Sequence, residues 1–134
     1  MFKSYPDFRA VLHGKEDVII AVDRHEFHHA VPEADIVFHD GVVLLAAYPT
    51  EKLSDSTGLI SIYGTEDKIL DRKQYDDSKK YFPSHYTEIP IVGGNHAQFG
   101  NYGFQSGDGE ANITAHEQQT QTAFAILNFS KEIG

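Results

Sequence analysis

The chain of 134 residues contains no cysteine. That excludes a disulfide framework, a thiolate nucleophile and any cysteine-ligated zinc site. Basic residues are scarce as well: 11 Lys and Arg stand against 20 Asp and Glu, a net charge of −9. Such a surface repels phosphate backbones and anionic lipid, so neither nucleic acid nor a membrane is an expected partner. Long apolar runs are missing too. The longest, Val42 to Ala47, falls far short of the roughly 20 residues needed to cross a bilayer. The opening Met1-Phe2-Lys3-Ser4-Tyr5-Pro6 lacks the basic-then-apolar build of a secretion signal, and a cytoplasmic location is expected. With no internal repeat, low-complexity tract or linker, residues 1–134 read as a single domain.

What is present is ordinary for a globular protein: 40% hydrophobic and 23% charged residues, with 11 Gly and 5 Pro. Strand-like and helix-like stretches alternate, which predicts an α/β fold with a short, mostly parallel sheet and flanking helices. The strand candidates are Asp17 to Val22, Gly41 to Ala47, Gly58 to Gly64 and Tyr86 to Val92. Asp71 is placed to cap a helix from Arg72 to Phe82 that Pro83 stops. Thr114-Ala115-His116-Glu117 is a capping box for a helix reaching about Ile133, with Ala123, Phe124, Leu127 and Ile133 as its expected buried stripe. Ser4 to Leu12 reads as a short helix, whereas Asp23 to Asp40 has no clear period and holds four of the 8 histidines.

Two residues stand out by position. Asp67 lies just past the end of one apolar strand, and His96 just past the end of the next. In a parallel sheet those ends share one edge, where ligands bind. An Asp and a His there can hydrogen-bond, the carboxylate fixing the ring's tautomer and stabilising its protonated form. Gly93 and Gly94 allow the sharp turn that would aim His96 inward. The blander reading, a turn-capping Asp and a loop His, competes on even terms.

The blocks DGVVLLAAYP (Asp40 to Pro49), LISIYGTED (Leu59 to Asp67), GGNHAQFGNYG (Gly93 to Gly103) and SGDGEANIT (Ser106 to Thr114) resemble a family of bacterial α/β-hydrolases. The resemblance implies that Asp67 is the triad acid and His96 the triad base. It implies that the four strands are the fifth to eighth of the family's sheet, so that the N-terminal half of the fold is absent. The implied substrate is a small ester or acyl compound, with no cofactor. The family also needs a serine on a G-x-S-x-G turn, and no such sequence occurs in the chain. The relatives carry something like G-G-H-S-L-G-G-A where this chain reads Asp23-Arg24-His25-Glu26-Phe27-His28-His29-Ala30. In that register Glu26 occupies the nucleophile position. The expected protein is a degenerate hydrolase, inactive alone. The alternatives are an active hydrolase completed by another chain or an unrecognised nucleophile, and a zinc-binding protein.

The zinc alternative rests on His25-Glu26-Phe27-His28-His29, which satisfies H-E-x-x-H, with Asp35 where an extended pattern seeks a third ligand. Pro32 stands against it, replacing the glycine of that pattern. Asp108, between two glycines, reads as a turn in preference to a cation loop. His13, His39, His85 and His116 read as surface or helix-end residues, and Gln118, Gln119 and Gln121 as a solvated helix face. Finally, Asp17 to Val22 is an interior-type strand left as an edge, from which self-association is expected.

Overall fold

A run such as Gly41-Val42-Val43-Leu44-Leu45 offers no polar face, so as a strand it must be covered on both sides. The computed structural model, which describes residues 18–22, 30–31, 41–101 and 103–133, shows how this is met. Its strands are β1 (Val18–Val22), β2 (Ala30–Val31), β3 (Gly41–Leu45), β4 (Tyr48–Pro49), β5 (Gly58–Gly64) and β6 (Tyr86–Ile91). Its helices are α1 (Arg72–Ser78) and α2 (Ala115–Glu132). Four strands form one sheet in the order β1-β3-β5-β6, and every pairing in it is parallel. The short β2 and β4 make a separate parallel pair.

Side chains alternate across the sheet with period two. Val43, Leu45, Ile60 and Ile62 pack on one face with Ile126 and Phe129 of α2. Val42, Leu44 and Leu59 pack on the other with Leu70, Phe82 and Tyr75 of α1. The fold is therefore the expected α/β type, with a helix on each face of a parallel sheet. Among the described residues no helix is long and apolar enough to cross a membrane.

Local chemistry sets the element ends. The Asp71 carboxylate accepts from Gln74 N at 3.0 Å, capping α1. The helix expected to Phe82 stops earlier, at Ser78, and tightens into a 3-10 turn at Lys79–Tyr81. Phe82 is already extended, with φ −68° and ψ 150°, because a residue before proline is forced out of helical geometry. β3 ends at Leu45 instead of Ala47, since Ala46 takes φ 53°. A left-handed alanine costs about 1 kcal/mol, and here its N–H reaches Ile62 O at 2.8 Å.

The capping box at Thr114 and Glu117 forms as read from the sequence. The buried stripe of α2 does not. Phe124 is 64% exposed, while Gln118, Thr122, Ile126, Phe129 and Ser130 face inward. Ala123 and Ile133 pack against the core only in part. The Ser4 to Leu12 helix lies outside the described residues, as does Asp23 to Asp40 apart from β2.

On the α1 face a polar chain crosses the apolar packing. Tyr75 Oη donates to Glu88 Oε2 at 2.6 Å, so the Ser61 hydroxyl, also 2.6 Å from Tyr75 Oη, acts as donor to it. Lys79 Nζ completes the chain at 3.2 Å from Glu88. Burial, then the Glu88 bond, push the Tyr75 hydroxyl far above the ordinary tyrosine range, so it remains a neutral donor. Tyr75→Phe strips partners from Ser61 and Glu88 and is expected to cost about 1–3 kcal/mol in urea unfolding. A loss below a few tenths would show that the chain contributes nothing.

Glu88 also predicts a pH response. Burial alone would raise its pKa, but the bonds from Tyr75 and Lys79 outweigh it and hold the carboxyl below its ordinary value. A depressed folded-state pKa gives stability that is complete above about pH 5 and drains as pH falls through the folded value. Between about pH 6 and pH 3, Glu88→Gln should lose less stability than the parent chain. Equal losses in the two proteins would remove Glu88 from the acid response.

Candidate functional site

β5 and β6 are parallel neighbours with Gly64 opposite Ile91, so the chain leaves both at one edge. The two exits are zipped together: Thr65 N donates to Ile91 O at 3.1 Å, and Glu66 N to Gly94 O at 2.8 Å. Gly93 takes φ +83°, a left-handed turn that a side chain would strain. It swings the chain back over the sheet edge, towards the loop that follows β5.

There Asp67 meets His96. The Asp67 Oδ2 to His96 Nδ1 distance is 2.7 Å, and both side chains are buried. An ionised carboxylate only accepts, so Nδ1 is the donor in this pair. The second oxygen, Oδ1, accepts from Ile69 N and Leu70 N, each at 2.8 Å. Asp67 thus has a rigid seat of its own and does not depend on the histidine for its orientation.

The histidine loop is held from below by side chains that sequence reasoning misjudged. Gln118, read as solvated, is fully buried. Its Oε1 accepts from Asn95 N at 3.1 Å and Gln98 Nε2 at 3.0 Å, and its Nε2 donates to Asn95 O at 2.8 Å. Gln119 is half-buried and donates to Gln98 O at 3.0 Å; Gln121 alone is exposed as expected. Asn95 accepts from Gln98 N and donates to Gly109 O, both at 3.0 Å. A capping box directly before a glutamine gives no hint that the glutamine points inward; only the arrival of the Asn95 loop makes it so.

The Asp108 oxygens accept from the backbone N–H groups of Lys68, His96, Ala97 and Gly109. Ser106, whose flanking residues come nearest to a nucleophile turn, is exposed in a turn. His85 and His116 are exposed. Glu26, at the expected nucleophile position, and His25, His29 and Asp35, the zinc candidates, all lie outside the described residues. Among the described residues no group of three or more His, Asp or Glu could hold a metal ion.

A parallel sheet covered on both faces, with a buried Asp–His pair past adjacent strand ends, defines the class. The chain belongs to the alpha/beta hydrolase family, whose family model matches residues 27–120 and so spans both Asp67 and His96. No curated protein and no solved structure matches the chain.

The buried glutamine can be tested against its exposed neighbour. Gln118→Ala leaves the Asn95 backbone unsatisfied and is expected to lower stability by about 1–3 kcal/mol. Gln121→Ala should change it by less than about 0.5 kcal/mol. Urea unfolding of both variants checks the pair, and equal effects would contradict the inward orientation of Gln118.

Proposed function

We propose that the chain carries the acid–base half of an α/β-hydrolase catalytic site and does not turn over esters by itself. One observation carries this: the 2.7 Å Asp67–His96 bond, formed by two buried side chains past the ends of adjacent parallel strands. With Nδ1 engaged by Asp67, Nε2 is the nitrogen that would take a proton from a nucleophile. Asp67 would stabilise the resulting imidazolium. The inactivity follows from the sequence, which holds no G-x-S-x-G turn. In the register of the resemblance Glu26 stands where the serine belongs, and a carboxylate cannot do the serine's chemistry without a different mechanism. The substrate class of a completed site is a small ester or acyl compound.

The expected result is that the purified chain hydrolyses short-chain nitrophenyl esters no faster than His96→Ala, within about twofold. A rate hundreds-fold above that variant, abolished by a serine-directed fluorophosphonate, would overturn the reading. Activity restored by zinc and lost to a chelator would instead favour the metal alternative at His25 and His29.

A second reading, in which another chain completes the site, is favoured by the place of β1. Among the described residues it stands at the end of the strand order, with β3 as its neighbour, and strand ends of that kind recruit further strands. Light scattering over a tenfold concentration range, run beside the esterase assay, separates the two. Association together with turnover that climbs more steeply than protein concentration supports completion by a second copy. A monomer without turnover leaves the first reading standing.

A further inference from the structure

The Asp108 carboxylate touches both halves of the acid–base pair through their backbones. Its Oδ1 accepts from Gly109 N at 2.8 Å and from Lys68 N at 3.3 Å. Its Oδ2 accepts from His96 N at 3.0 Å and Ala97 N at 2.9 Å. Lys68 directly follows the acid, and His96 is the base. Asp108 itself is buried, 9% exposed. We infer that Asp108 is a positioning residue: it clamps the loop after β5 to the loop after β6, and so sets the reach between Asp67 and His96. This rests on the reading of Asp67 and His96 as an acid–base unit.

The neighbouring residues act in the same direction. Asp108 N donates to Gln105 O at 3.0 Å, closing the turn that presents the carboxylate. A Cβ on Gly109 would collide with the Glu66 carbonyl oxygen, so the segment runs hard against the acid's loop. Asn95 Nδ2 holds Gly109 O from the base's side. Only a carboxylate suits the position. It has room for about four acceptor contacts and no donor, whereas an amide would turn N–H against N–H.

A simpler role is that of a cap. Asp108 does satisfy the first N–H groups of the 3-10 turn Ala97–Phe99, which has no side-chain cap from His96. A cap accounts for the bonds from His96 and Ala97. It does not account for Lys68, 40 residues away in sequence and on the other loop.

The test reads the ring, not the fold. Two-bond proton–nitrogen correlation spectra of the 15N-labelled chain report which nitrogen of His96 carries the proton. The parent should show the Nδ1–H tautomer that Asp67 holds, and Asp67→Ala should revert towards the Nε2–H form that imidazole favours in water. Asp108→Asn should shift the same way, the Nε2–H share rising at least about fivefold. Tyr75→Phe, on the opposite face of the sheet, should leave the ring unchanged although it too destabilises the fold. A parent without Nδ1–H preference would overturn the acid–base reading and the clamp with it. A parental tautomer ratio in Asp108→Asn would sink the clamp alone.

Should Asp108→Asn not fold, hydrogen exchange on the parent decides. One carboxylate holding both loops makes the amides of Lys68, His96, Ala97 and Gly109 open as a unit, with protection within about tenfold of one another. Lys68 exchanging far faster than the other three would overturn the proposal.

Discussion

Chain that leaves the end of a parallel strand and turns back inward carries backbone N–H groups with no ladder to join. Buried and unpartnered, each would cost about 1–3 kcal/mol. The loops after β5 and β6 solve this with side-chain acceptors. Asp67 takes the N–H groups of Ile69 and Leu70, Asp108 takes those of Lys68, His96 and Ala97, and Gln118 takes that of Asn95. The site is built out of that requirement. Two loops can stay buried against each other because side chains absorb their donors, and Asp67 and His96 sit where the loops meet.

This explains why the site was half legible in the sequence. Asp67 and His96 could be placed because their signal is local: an apolar strand, a glycine-bearing exit, a titratable side chain. The four strands of the main sheet and both helix caps were legible for the same reason, being set within a few residues, whereas the short β2 and β4 were not. Asp108 and Gln118 were not. Each looks like a turn or surface residue by its neighbours in sequence, and each is turned inward by a partner that arrives from elsewhere: Lys68, 40 residues from Asp108, and Asn95, 23 residues from Gln118. The misplaced stripe on α2 has the same origin. An apolarity count favours Phe124, but inward Gln118 and Thr122 fix the helix rotation, and Phe124 is carried to solvent.

The two faces of the sheet divide the polar chemistry between them. On the α1 face the buried chain Ser61–Tyr75–Glu88 ends on the half-exposed Lys79, so its charge is partly met by water. It ties α1 to β5 and β6, and no reactive group is needed for that task. On the α2 side the polar contacts gather at one edge instead of crossing the core. Gln118 opens the helix at that edge, and below it Ile126 and Phe129 restore an apolar contact with β3 and β5. One helix therefore does two jobs along its length: its first turns support the histidine loop, and its last turns close the core.

Stability alone gives a poor account of the Asp67–His96 pair. Taking a carboxylate out of water carries a penalty of several kcal/mol, and replacing a buried ionic pair with apolar residues of similar volume is often neutral or stabilising. Here the penalty falls on a carboxylate whose side chain is about 1% exposed, and a second buried carboxylate, Asp108, lies against the same loop in a chain of net charge −9. Self-repulsion at that charge works against compaction. Backbone N–H donors to both carboxylates offset part of that penalty, but none of those bonds calls for a histidine between the two acids. What the arrangement does provide is a ring held in one orientation with one nitrogen committed, which is the state that the proposed role of His96 as a base requires.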